Sequence, residues 1–214
     1  MTNRLTFAAR FARLPLIAIL RGVRPDEVIG VGEALVSAGF TLIEVPLNSP
    51  EPLDSVSRLA AHLGDRAMVG AGTVLTEPDV AAVAAAGGTM IIAPNTDPRV
   101  IAAADRAGLV PIPGFSTPSE AFAALQAGAA ALKLFPAEGS SPVALKAVRA
   151  VIPADRAILP VGGITPAVMP SWLAAGASGF GLGSALYRAG DAAGVVADRA
   201  ERFVAAWRDA SGPC

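Results

Sequence analysis

Lys133 stands in the run Ala130-Ala131-Leu132-Lys133-Leu134-Phe135-Pro136, apolar on both sides and stopped by proline. Such a run reads as a strand in the middle of a parallel sheet, where helices cover both faces. Stripping water from an ammonium there costs several kcal/mol unless the group is paired or its pKa falls. A lysine driven toward its neutral form is a nucleophile, able to form a Schiff base with a carbonyl compound. The alternative is an ion-paired lysine, or one that snorkels from a strand end. Other chemically useful residues recur where apolar runs end: Arg21, Glu44, Thr73, Asn95, then Gly162-Gly163 and Gly183-Ser184. Glu44 and Lys133 are the only charged residues inside these runs. An acid, an amine and a guanidinium on one rim supply a proton shuttle, a nucleophile and a fork for a carboxylate. Thr73 adds a hydroxyl to that fork. Glu44 and Lys133 could instead form an ion pair tying two strands together, although such pairs seldom add net stability. Glycines let backbone N–H groups approach phosphate oxygens, and Ser184 contributes a hydroxyl. The alternative for Gly162-Gly163 is a plain turn into the helix that Thr165-Pro166 begins.

The elements that must position these residues follow one repeated pattern. A short apolar strand leads into Ser, Thr or Asp beside proline, then an alanine-rich helix, then an Ala-Gly pair. Helix starts fall at Pro25, Pro50, Pro78, Pro98, Pro118, Pro142 and Pro166, most with a capping oxygen just before a proline whose missing N–H costs nothing in the first turn. Helix stops fall at Gly39, Gly64, Gly87, Gly108, Gly128 and Gly176. Between them lie eight strand candidates, at 16–20, 41–47, 67–73, 89–94, 109–114, 130–135, 158–164 and 179–184. Strict alternation of strand and helix argues for an α/β fold with a parallel sheet. Eight units argue for a (β/α)8 TIM barrel, read here as one domain over residues 1–214, with its site at the C-terminal strand ends. A doubly wound open sheet is the second choice. It lacks support, because Gly70-Ala71-Gly72-Thr73-Val74-Leu75 has leucine where the third glycine of a dinucleotide fingerprint belongs. Leu5, Ala8, Ala9 and Phe11 are expected to form the apolar face of a short N-terminal helix capping the domain.

Composition narrows the choices. Hydrophobic residues make up 53% and charged residues 16%, which fits a compact globule. A net charge of -1 provides no basic field for nucleic acid, so any bound anion must be gripped locally. The single cysteine is Cys214 and the single histidine His62, so neither a disulfide framework nor a histidine-built metal centre is expected; a carboxylate-bound magnesium stays open. Arg4, Arg10 and Arg13 near the start resemble a transit peptide, but the apolar run after them is needed as the first strand. No apolar stretch is long enough to span a bilayer, and a soluble cytoplasmic protein is expected.

Seven runs together resemble the 2-keto-3-deoxy-6-phosphogluconate/galactonate aldolases: 16–22, 43–50, 70–73, 113–120, 132–136, 161–164 and 181–184, in register from about Leu14 to Arg208. The resemblance implies metal-free class I aldolases on a (β/α)8 barrel, with no cofactor and a homotrimeric assembly. It implies that Lys133 forms the Schiff base and that Glu44 is the general acid/base. Arg21, Thr73, Gly162, Gly163, Gly183 and Ser184 would contact a phosphorylated keto-deoxy sugar acid, and pyruvate would be a product. The chain looks closer to the galactonate branch. Asn48 and Ser49 stand where the gluconate enzymes usually carry an arginine-threonine pair, and Val161 where they usually have threonine. Cleavage of the galacto epimer is therefore expected. The gluco epimer, and a phosphate-binding barrel without turnover, are the alternatives.

Overall fold

The computed structural model describes residues 2–211; Cys214 lies outside the described residues. A helix, α1 (Asn3–Arg13), comes first. Strands and helices then alternate as β1 (Leu16–Ile19), α2 (Val28–Ser37), β2 (Leu42–Pro46), α3 (Pro52–Leu63), β3 (Met68–Gly72), α4 (Glu77–Ala85), β4 (Met90–Ile92) and α5 (Pro98–Arg106). The second half runs β5 (Val110–Ile112), β6 (Gly114–Phe115), α6 (Pro118–Gln126), β7 (Leu132–Leu134), α7 (Pro142–Arg149), β8 (Ile158–Pro160), α8 (Met169–Ala174), β9 (Phe180–Leu182) and α9 (Ala193–Ser211). Every ladder is parallel. Six strands form one sheet in the order β5-β4-β3-β2-β1-β9, and β6-β7-β8 form another.

Capping chemistry explains most boundaries. Thr76 and Thr117 each close a capping box, with Asp79 and Glu120, while Asp97 and Ser141 accept from first-turn N–H groups. All six glycine stops have positive φ. The starts expected at Pro25, Pro50 and Pro166 fall later, at Val28, Pro52 and Met169, none with a side-chain cap, and Ser49 is used elsewhere. The strand expected at 109–114 is also divided. Register with β4 ends at Ile112; Pro113 already faces β7, its carbonyl accepting from the Lys133 N–H with no N–H to give in return, and register with β7 begins at Gly114. The strand expected to reach residue 164 stops at Pro160, because Gly162 and Gly163 turn the chain with φ of 112° and 63°.

Two apolar clusters divide the interior. The larger joins the helices to one face of the strands. The smaller collects Ile17, Leu42, Met68, Met90, Ile92, Val110, Ile112, Ala131 and Leu159 from the opposite face, with Phe7 of α1 against them. Phe11 packs there too, stacked on Phe7 at 5.3 Å between ring centroids. The expected face of α1 is therefore corrected: Phe7 and Phe11, one helical turn apart, point inward, while Leu5, Ala8 and Ala9 face solvent. Arg4 and Arg10 hold the helix in place through the backbone carbonyls of Gly128, Asp65 and Arg66.

Candidate active site

Side chains on a strand return to the same face every second residue. Leu42 and Ala131 belong to the smaller cluster, so Glu44 and Lys133, each two residues further on, face the same interior. The two are 2% and 5% exposed, and they are the only buried charged side chains among the described residues. Their strands lie in different sheets, so no ladder register joins them. Among the described residues neither makes a direct ion pair. Each nevertheless feels the charge of the other and of Arg21. Burial pushes the Lys133 ammonium down from its ordinary value, Glu44 opposes that shift, and Arg21 adds to it. Burial pushes the Glu44 carboxyl up, against the pull of Lys133 and Arg21. Such a pair favours a neutral amine beside a proton-carrying acid. Lys133 Nζ also lies 4.7 Å from the centroid of the Phe135 ring.

Gly72 makes room for the acid. A Cβ at that position would stand 2.6 Å from Glu44 Cδ and closer still to Oε2. The carboxylate of β2 thus lies across β3, over a position that has no side chain. Thr73, the next residue, has φ of 57°, a conformation that costs a β-branched residue about 1–2 kcal/mol. Strain of this kind collects where a backbone is held for a purpose.

Arg21 sits at the rim beyond β1, its Nη1 donating to Asn48 Oδ1 at 2.5 Å. The neighbouring Gly22 N–H donates to Ser49 Oγ at 2.9 Å. At the other side of β1, the parallel bridge Val161↔Gly181 carries the register forward. The Gly162-Gly163 turn and Gly183 thus both begin within two residues of one paired point. Gly163 and Ser184 are exposed, so backbone N–H groups and a hydroxyl are open to a ligand there. The loop that follows abuts Gly22, whose added Cβ would meet Ala189 Cβ at 2.9 Å. Asn95 is exposed, with its backbone N packed against Gly114.

Three contributors lay outside the reach of sequence spacing. Gly72 as the seat of Glu44 depends on a cross-strand diagonal. Ser49 as the partner of Gly22 displaces a capping role. Glu138, two residues after Pro136, lies against the glycine turn: Cβ atoms at Gly162 and Gly163 would meet its Cδ at 2.7 Å and its Cγ at 2.8 Å. Among the described residues no group of three or more His, Cys, Asp or Glu gathers as a metal site. Nor is any described helix long and apolar enough to cross a membrane.

A family model described as KDPG and KHG aldolase matches residues 8–197. The 2-dehydro-3-deoxy-6-phosphogalactonate aldolase of Escherichia coli (strain K12) is 46% identical over 198 residues, which cover 92% of this chain and 97% of that one. A solved structure described as native KDPGal superposes with a TM-score of 0.92 at 46% identity, covering 93% of this chain and 97% of that one. A KDPG aldolase from Legionella pneumophila, solved with pyruvate captured as a covalent carbinolamine, superposes with a TM-score of 0.81 at 26% identity, covering 95% and 98%.

Proposed function

Since this chain belongs to the KDPG and KHG aldolase family, we propose that the Lys133–Glu44 interior is its catalytic centre and that 2-dehydro-3-deoxy-6-phosphogalactonate is its substrate. The protein is an aldolase, a carbon–carbon lyase that releases pyruvate and glyceraldehyde 3-phosphate. The observation that carries the site is the one amine that, among the described residues, is buried on the inner face, pushed toward neutrality by burial and coupled to a buried acid.

The neutral Lys133 amine attacks the C2 ketone, and Glu44, entering as the acid, gives its proton to the departing hydroxyl as the carbinolamine loses water to an iminium. The carboxylate left on Glu44, acting directly or through one water, then takes the proton from the C4 hydroxyl. The C3–C4 bond then breaks, its electron pair moves into the iminium as an enamine, and the aldehyde leaves. Protonation at C3 and hydrolysis of the iminium free pyruvate and restore the amine. Arg21 and Thr73 hold the carboxylate. Gly162, Gly163, Gly183 and Ser184 hold the phosphate, where backbone N–H groups provide the donors.

Three wider readings accompany this one. We read the two sheets as a single closed (β/α)8 barrel and one domain, supported by the lone residue between β5 and β6 and by the bridge that follows β8. A homotrimer follows from the family resemblance. A cytoplasmic location fits a substrate that carries both a phosphate and a carboxylate and does not cross membranes unaided. The gluco epimer has weaker support, since a 2-dehydro-3-deoxy-phosphogluconate aldolase is 33% identical over 157 residues, against 46% over 198 for the galactonate enzyme. A barrel that only binds phosphate would have no use for a buried amine in a strand.

Pyruvate release from the two phosphorylated C4 epimers, with chelator present, tests the substrate. Borohydride reduction with pyruvate, followed by mass mapping, tests the nucleophile. Faster release from the galacto epimer and added mass confined to Lys133 are expected. Unmodified Lys133 at saturating pyruvate would overturn the mechanism.

A further inference from the structure

Two consecutive side chains of the β2–α3 loop reach two consecutive residues of the β1–α2 loop. Asn48 Oδ1 accepts from Arg21 Nη1 at 2.5 Å, and Ser49 Oγ accepts from the Gly22 N–H at 2.9 Å. Ser49 is 7% exposed and its own N–H bonds to Pro46 O, so the clamp is anchored in the end of β2, two residues beyond Glu44. Glu51, just past the clamp, has φ of 41°, an unfavourable conformation for glutamate that the loop sustains.

A guanidinium only donates hydrogen bonds, so the amide of Asn48 must present its oxygen and not its nitrogen. Using Nη1 for that bond leaves the edge formed by Nε and Nη2. That edge matches two carboxylate oxygens in a planar fork. An unheld arginine at an exposed rim would spread over many rotamers and lose the entropy of ordering when a ligand arrived. One held at Nη1 begins with that cost largely met.

We propose that Asn48 is a positioning residue for Arg21: by holding Nη1 it aims the free guanidinium edge at the carboxylate of the 2-keto acid. This inference rests on the aldolase reading of the same site. It also assigns a function to the asparagine that stands where the gluconate enzymes usually carry an arginine. The site keeps one guanidinium for the carboxylate and uses the second position to orient it.

The test is borohydride trapping of Lys133 across a pyruvate titration, on the full chain. In Asn48→Ala the pyruvate concentration for half-maximal trapping should rise about tenfold, the scale of one hydrogen bond to a charged group. The kcat for the phosphorylated substrate should fall no more than about threefold, because Arg21 itself remains. Trapping by hydroxyacetone, which has the ketone but no carboxylate, should not change. In an Arg21→Ala background, adding Asn48→Ala should cost nothing further. If Asn48→Ala fails to fold, the near-isosteric Asn48→Leu serves, since it keeps the bulk and removes the acceptor, and the same rise in half-saturation is expected. An unchanged half-saturation in a folded variant would overturn the proposal, as would equal losses with hydroxyacetone or additive losses in the double variant. Absence of trapping in the parent protein would instead remove the Schiff-base reading, and this inference with it.

Discussion

Alanine at position 72 would bring a methyl group to 2.6 Å from Glu44 Cδ, where ordinary contact begins at 3.4 Å. The Cδ atom must therefore retreat by about 0.8 Å, and Oε2 by more. Glu44 is 2% exposed, so the carboxylate cannot swing into solvent and must displace packed neighbours. Overpacking of this kind costs about 1–3 kcal/mol, or roughly 2–12 °C in Tm for a chain of this size. The larger effect is on turnover, since a misplacement of about 1 Å in a reacting group can cost ~100-fold. Gly72→Ala should thus lower kcat by about 100-fold in a pyruvate-release assay. Lys133 is untouched, so borohydride with saturating pyruvate should still label it. Activity within about threefold of the parent would show that Glu44 does not need its present position. Loss of labelling together with turnover would show that the substitution disturbs Lys133, and the link between Gly72 and the acid would be wrong.

The pH dependence of labelling at saturating pyruvate should report the balance of charges around Lys133. The rate should rise with pH as the amine loses its proton, through an apparent value below the ordinary 10.5. Arg21 disfavours the ammonium, so Arg21→Met should move that rise to higher pH; Glu44 favours it, so Glu44→Gln should move it to lower pH. Shifts of the same sign in both variants would contradict the proposed electrostatics. At the far wall, Val161→Thr keeps the shape that packs against Gly181, where an added Cβ would meet Val161 Cγ2 at 2.7 Å. The added hydroxyl should raise the ratio of gluco to galacto activity about tenfold, as measured by parallel kcat/KM values, and an unchanged ratio would exclude position 161 from epimer choice.

Local chemistry was legible in the amino-acid order. Thr76, Asp97, Thr117 and Ser141 cap helices where their neighbouring prolines indicated, and each glycine stop has positive φ. These features act over one helical turn, so the information needed to read them is contiguous. Lys133 and Glu44 also stood out, because a charge inside an apolar strand carries a desolvation cost whatever surrounds it. Which face of each strand they occupy was not legible, because the runs are apolar on both sides; the folded clusters show it to be that of Leu42 and Ala131.

What the tertiary structure alone decided is which distant residues meet. The face of α1 turned out to be Phe7 and Phe11, because their rings fill the end of the inner cluster better than Leu5, Ala8 and Ala9 would. Ser49 was free to cap a helix by its local sequence, yet bonds to Gly22, 27 residues away, because parallel β1 and β2 bring their following loops together. The seat of Glu44 over Gly72, the contact of Glu138 with the glycine turn and the hold of Asn48 on Arg21 arise the same way. Each joins segments whose separation along the chain carries no periodic signal. Contacts of that kind exist only once the strands have paired and their C-terminal ends share one rim.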